Sequence, residues 1–294
     1  MGVIFESEPE LEEPYLVAAW PGIGNVGIIA VDTLREAVEA RQFAEIEPWD
    51  LFYPHAVSIK GGKLQDLTFP SSRFYFQRVG GKDVIFFIGE EQPPSEERMY
   101  QMANLVLDVG LRFGCRRVFT AGAAVALIHH TFRPKVWAVP NTERLIDEIR
   151  EYSHATLMSD IQGEGKGNIT GLNGLLLGVA RKRGLPGICL LGEVPIYLSS
   201  FPLSYPKASR SVLETLTQSW GIQADLRGLD SFIQEVERNI DELYQKIPSL
   251  VKDKIDQLKQ VSHISPEKKE PITEEDKEKL MEDIEQFFGR KGKD

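Results

Sequence analysis

Three glycines, Gly22, Gly24 and Gly27, mark the stretch where backbone chemistry is most suggestive. They read Gly-x-Gly-x-x-Gly between an apolar run, Tyr15 to Trp20, and a segment carrying Val26, Ile29, Ala30, Leu34 and Val38 at helical spacing. A strand, a glycine turn and a helix in that order can hold an anion. The first N–H groups of a helix lack partners, and its dipole is positive there. A dinucleotide fold opens the same way when the next strand ends in an acid for the ribose, and Glu45 or Glu47 would stand there. A packed turn without ligand is the simpler account of the glycines. The candidate ligand set is Gly22, Ile23, Gly24, Asn25 and Gly27, with Glu90 and Glu193 from the carboxyl ends of expected strands. Paired carboxylates can exchange protons, although acids near helix starts more often serve as caps.

Other reactive residues point to no complete apparatus. His129 and His130 are adjacent, and on an extended chain they would face opposite sides, a poor shared metal site. No third ligand at zinc spacing accompanies them, so no metal and no cofactor is expected. Ser199-Ser200 lacks a nucleophile elbow, and the Gly165-Lys-Gly167 run lacks the phosphate-loop frame. The two cysteines, Cys115 and Cys189, form no Cys-x-x-Cys and read as reduced core residues.

The chain has 294 residues, 42% of them hydrophobic, and a formal charge of −10. That length supports a large core, and that charge repels phosphate backbones, so nucleic acid is not an expected partner. No apolar run approaches the ~18 residues of a spanning helix, and the glutamate-rich first 14 residues lack the pattern of a secretion signal. A cytoplasmic protein without membrane contact is expected.

Strand and helix patterns alternate from Tyr15 to Trp220, which predicts an α/β domain over about residues 1–225, its mainly parallel sheet flanked by helices. Two hairpins with Gly-Gly turns, at Gly61-Gly62 and Gly80-Gly81, interrupt the alternation and break the second half of a dinucleotide fold. A helix is expected from about Asn141 to Tyr152, and a surface loop over Asp160 to Asn168. Residues 226–262 read as a helical arm with a break at Pro248, residues 263–272 as a linker, and residues 273–294 as a final amphipathic helix. Leu280, Ile284, Phe287 and Phe288 share one face of that helix and are the candidate partner-binding residues.

Three segments together resemble a known family. Trp20-Pro-Gly-Ile-Gly-Asn-Val-Gly27 is similar to the opening motif of the proteasome assembly chaperone 2 family. Gly171-Leu-Asn-Gly-Leu-Leu-Leu-Gly-Val-Ala-Arg-Lys-Arg-Gly184 resembles its glycine-leucine helix. Leu190-Leu-Gly-Glu-Val-Pro195 and the helix from Tyr205 resemble its last strand and following helix. The resemblance covers about residues 10–225. It implies a nucleoside-phosphorylase-like α/β fold and a non-enzymatic assembly or scaffold role on proteasome-like or other protein subunits. It also implies self-association, most simply as a trimer or a multiple of three. A nucleotide- or nucleoside-binding enzyme or sensor at the glycine turn is the alternative. Members that dock on the proteasome ring end in a hydrophobic-Tyr-x motif, whereas this sequence ends Arg290-Lys-Gly-Lys-Asp294.

Overall fold

A computed structural model describes residues 2–160 and 168–261. The chain opens with β1 (Val3–Phe5) and β2 (Tyr15–Ala19), then α1 (Val26–Ala37) and β3 (Arg41–Ile46). Two hairpins follow, β4 (Ala56–Lys60) with β5 (Lys63–Thr68), and β6 (Ser72–Val79) with β7 (Lys82–Gly89). The middle of the chain gives α2 (Glu96–Arg112), β8 (Arg117–Ala126), β9 (Val136–Pro140), α3 (Ile146–Arg150) and β10 (Ala155–Leu157). The last part gives α4 (Gly171–Lys182), β11 (Gly187–Pro195), α5 (Pro206–Trp220), α6 (Arg227–Gln245) and α7 (Ser249–Val261).

Nine strands form one sheet in the order β1-β3-β6-β7-β2-β8-β11-β9-β10. The four central strands, β7, β2, β8 and β11, are parallel, as the alternating sequence predicts. β6 joins this core antiparallel on one side, and β9 does so on the other. The central strands are apolar on both sides because both faces are covered. Leu16, Ala18 and Trp20 point into one core layer with α2 and α4, while Val17 and Ala19 point into the other with α1 and α5. That second layer continues through Leu229, Val236 and Ile240 of α6 and Val251, Ile255 and Leu258 of α7.

The dinucleotide expectation fails at the strand after α1. Instead of lying beside β2, β3 pairs antiparallel with β1 and β6 near the sheet edge, with β6 and β7 between it and β2. Glu45 sits there beside Arg73 at 3.6 Å, with no access to the glycine turn. The expected helix at 141–152 is shorter, with a regular turn only over Ile146–Arg150 after a single tight turn at Glu143–Leu145. α5 starts at Pro206 and closes on left-handed Gly221, as its sequence requires. The arm breaks at Pro248 into α6 and α7. The expected loop Asp160–Asn168 falls largely outside the described residues, and the final helix with Leu280, Ile284, Phe287 and Phe288 lies outside them altogether.

Candidate functional site

The glycine turn borders a cleft of about 940 Å³ whose floor is formed by the carboxyl half of β8. Gly22, Ile23, Val26 and Gly27 form one wall, Gly122 to Val125 the floor, and Asn173, Gly174, Leu177, Gly178 and Arg181 of α4 the opposite wall. A cleft at the carboxyl ends of parallel strands is where open α/β sheets bind ligands. Among its described lining residues Arg181 is the sole charged one; the polar remainder includes Gln92, Ser159, Asn168, Thr170 and Asn173.

The turn itself is built by packing. Gly24 has φ +60° and Asn25 φ +50°, a left-handed pair that glycine and asparagine tolerate best. Two of the backbone N–H groups of the turn are already used within it. Asn25 N–H donates to the Gly22 carbonyl at 2.8 Å, and Val26 N–H donates to the Ile23 carbonyl. The Gly24 carbonyl accepts from Tyr205 N–H at 2.7 Å, and Asn25 Nδ2 reaches Ser204 Oγ at 3.4 Å. At Gly27 a Cβ would stand 2.0 Å from the Ala121 carbonyl oxygen, so only glycine lets α1 lie this close to β8. Gly22 is different. It is extended, lines the cleft and has nothing within 4 Å of a Cβ position.

Across the cleft, one N–H at the start of α4 is likewise taken from within. Leu172 N–H donates to Gln92 Oε1 at 3.0 Å, and Gln92 Nε2 donates to the Pro21 carbonyl at 2.8 Å. One side chain thus fastens the loop after β2 to the start of α4. Sequence reading passed over Gln92, whose only signal is its place in the Glu90-Glu-Gln-Pro-Pro94 loop. Gly174 packs so tightly that a Cβ would meet the Ile169 carbonyl oxygen at 2.1 Å, whereas Gly178 faces open space. At Gly174 the close neighbour is thus the segment preceding α4 and not the sheet.

The seven predicted ligand residues therefore separate. Gly22, Ile23 and Gly27 line the cleft, while Gly24 and Asn25 seat the turn on the segment before α5. Glu90 and Glu193 are not among its lining residues. Each instead accepts a backbone N–H from the residue just before a neighbouring strand, Ser71 before β6 and Lys135 before β9. Glu90 accepts the Ser71 N–H at 2.7 Å, and that bond above all holds its carboxyl below the ordinary range. Glu193 is buried and accepts the Lys135 N–H at 2.9 Å. Asn141, also at a strand end, is a buried tie: its Oδ1 accepts the Gly187 N–H at 2.8 Å and its Nδ2 donates to the Leu185 carbonyl at 3.0 Å.

The histidine pair also departs from its sequence reading. The chain turns at His129 and His130 instead of running extended, so the two rings lie on the same side with centroids 4.1 Å apart. Both are buried beneath α6 and α7, with the Tyr244 ring edge-on to each. His130 Nδ1 lies 2.8 Å from the Tyr197 hydroxyl. Asp241 of α6 stands 3.5 Å from His130 Nε2 and Asp256 of α7 stands 3.7 Å from His129 Nε2. Among the described residues no group of three His, Cys, Asp or Glu side chains could hold a metal ion. Nor is any described helix long and apolar enough to cross a membrane. Cys115 and Cys189 are buried free thiols, which burial raises to about 11 and about 12.

A two-sided α/β sheet, a glycine turn packed on the segment before α5, and a glycine-walled cleft together define the class of fold. Residues 16–244 match the model of the PAC2 family, and the chain belongs to that family. It is 27% identical over 241 residues to the uncharacterized protein MJ1210 of Methanocaldococcus jannaschii, covering 79% of this chain and 86% of that one. Among solved structures it is similar to Pyrococcus furiosus PbaB, an archaeal proteasome activator, with 28% identity and a TM-score of 0.68 over 82% of this chain and 98% of that one. Pyrococcus furiosus PbaA, an archaeal homolog of proteasome-assembly chaperone, shares the fold at 21% identity, with a TM-score of 0.62 over 89% of this chain and all (100%) of that one.

Proposed function

We propose that this chain is a non-enzymatic assembly factor that self-associates and acts through protein surfaces on proteasome-type subunits. The observation that carries the reading is its likeness to PbaB, an archaeal proteasome activator, across 82% of the chain. The cleft chemistry is consistent with it. Some N–H groups at the helix starts facing the cleft, those of Asn25, Val26 and Leu172, are taken by the protein's own acceptors, and the two predicted carboxylates hold loops. The apolar stripe Leu280, Ile284, Phe287 and Phe288 is offered as a partner-facing element on its sequence pattern alone. Reconstitution tests the reading. Purified full-length protein is added to dissociated core-particle subunits of a proteasome, and assembly is followed by native mass and peptide hydrolysis. Faster assembly or raised hydrolysis is expected; no association with subunits or particle at micromolar concentration overturns it.

One observation favours the nucleoside-binding alternative, namely the open space beside Gly22 and Gly178. A Cβ at either position meets nothing within 4 Å, so leucine there projects bulk from the cleft wall, and a nucleotide that raises the unfolding temperature of the native chain should lose that effect in Gly22→Leu and Gly178→Leu. An unaltered nucleotide response in both variants dismisses the cleft.

A further inference from the structure

The β4–β5 hairpin presents to solvent what a soluble domain normally covers. Every residue of both strands is exposed. Val57 stands opposite Leu67 and Ile59 opposite Leu64, so four branched side chains share one face. Their exposures are 46% and 38% for the first pair and 73% and 71% for the second. A register shift between the two pairs makes this possible, since Leu64 and Leu67 are three residues apart and would otherwise face opposite ways. Ser58 closes the shift, its Oγ accepting the Asp66 N–H and donating to the Asp66 carbonyl, both at 3.2 Å. Among the described residues the four join no core cluster. A lone two-stranded hairpin is marginal in water, and a contiguous apolar face of this kind marks an interaction surface.

The tip adds a sign. Lys60 and Lys63 are directly opposed, an arrangement that like charges disfavour unless an acidic surface meets them. The same lysines count against one hairpin stacking on another. An acidic partner with an apolar trough is present in the chain itself. The groove between α1 and α6, about 800 Å³, is floored by Ile28, Ile29, Leu229 and Phe232 and rimmed by Asp32, Glu36 and Asp225. Arg35 pairs with Asp32 and Glu36, and Arg227 pairs with Asp225, which leaves the rim one carboxylate in excess on a chain of formal charge −10.

We propose that the hairpin is an assembly arm whose apolar face seats in the α1–α6 groove of a second copy of this chain, with Lys60 and Lys63 over the acidic rim. The proposal rests on the self-association part of the functional reading and adds the surfaces to it. Arm and groove are different patches, so the contact is either exchanged reciprocally in a two-fold dimer or runs head-to-tail, closing into a ring when the rotation permits.

Native mass of the full chain at micromolar concentration is the first measurement, repeated on Ile59→Asp/Leu64→Asp and on Lys60→Glu/Lys63→Glu. The expected result is an oligomer for the native chain, a fall in mass for the apolar pair with an unchanged circular dichroism spectrum, and at least tenfold weaker association for the charge pair. Mixing an Ile59→Cys chain with a Phe232→Cys chain under oxidation should give a disulfide-linked pair, because the native thiols are buried. A native oligomer whose mass neither variant changes overturns the arm while leaving self-association intact. Disulfide-linked pairs of two Ile59→Cys chains, with none joining an Ile59→Cys chain to a Phe232→Cys chain, replace the groove with a hairpin-to-hairpin contact. A monomeric native chain overturns self-association itself, and the arm with it.

Discussion

At Gly27 an added Cβ would stand 2.0 Å from the Ala121 carbonyl oxygen and 3.1 Å from the Gly122 nitrogen, both backbone atoms of a central strand that cannot give way. At Gly178, in mid-helix beside the same cleft, nothing lies within 4 Å. The same substitution should therefore have opposite signs. Gly27→Ala should destabilise the fold by about 1–3 kcal/mol, the usual cost of overpacking. Gly178→Ala should stabilise it by about 0.5–1 kcal/mol, because alanine loses less chain entropy in a helix. Urea unfolding of the two variants beside the native protein measures both, and equal signs would refute the packing account. The sequence carried part of this. It marks three glycines between strand and helix, which is enough to place a turn, but the reason for each is a tertiary neighbour: Ala121 for Gly27, Tyr205 for Gly24, open space for Gly22. Glu90 and Glu193 were legible as carboxylates at strand ends, whereas their bonds to Ser71 and Lys135 join residues far apart in the chain or across a loop.

Among the elements, α6 and α7 are coupled to the body through a pair of buried histidines. His129 and His130 face Tyr197, Lys207 of α5 (itself paired with Glu237 of α6), Asp241 and Tyr244 of α6, and Asp256 and Lys259 of α7. Burial lowers both histidines. His129 falls to about 4, helped by the neighbouring His130 and Lys259, and for His130 burial outweighs the pull of Asp241. A histidine depressed in the folded state contributes its full stability above the ordinary value near 6.5 and loses it as the pH falls toward 4. Asp256 is itself held below its ordinary range, first by Lys259, so it stays ionised through that window. Stability should therefore drop between pH 6.5 and pH 4, with α6 and α7 losing amide protection first. Hydrogen exchange at several pH values tests this, and a His129→Asn/His130→Asn chain should show a flatter dependence across the same window. Undiminished protection of the arm at pH 5 would refute it. Periodicity revealed these helices and their break at Pro248, because an amphipathic stripe is local. It did not reveal what they cover, since the turn that brings the two histidines to one side depends on Tyr197, which lies 67 residues away.

For the whole molecule, the question is whether the α/β body can stand without α6 and α7. The sheet's α1–α5 layer does not end at Trp220. Leu229, Val236, Ile240 and Tyr244 from α6, and Val251, Ile255 and Leu258 from α7, belong to the same buried cluster as Val17, Phe119 and Trp220. Ile240 is 2% exposed and Ile255 not at all (0%), figures typical of a central core. Fully burying each such side chain contributes roughly 1.5–3 kcal/mol. Several together rival the ~5–15 kcal/mol by which a domain is stable. The two helices are in this sense part of the core of the body and not an appendage. A chain ending at residue 225 should then expose Tyr197, Trp220 and the buried histidines, and should bind a hydrophobic dye or aggregate instead of unfolding cooperatively. Truncation removes many contacts at once, so a milder variant keeps the test specific. Ile255→Ala at a site with no exposure should cost about 2–5 kcal/mol by urea unfolding, as a large-to-small change in a packed core does. Leu243→Ala, at a side chain 38% exposed on α6, should cost well below that. If Ile255→Ala and Leu243→Ala shift the midpoint equally and slightly, and the shortened chain unfolds as cooperatively as the full one, then α6 and α7 lie on the body without completing its core.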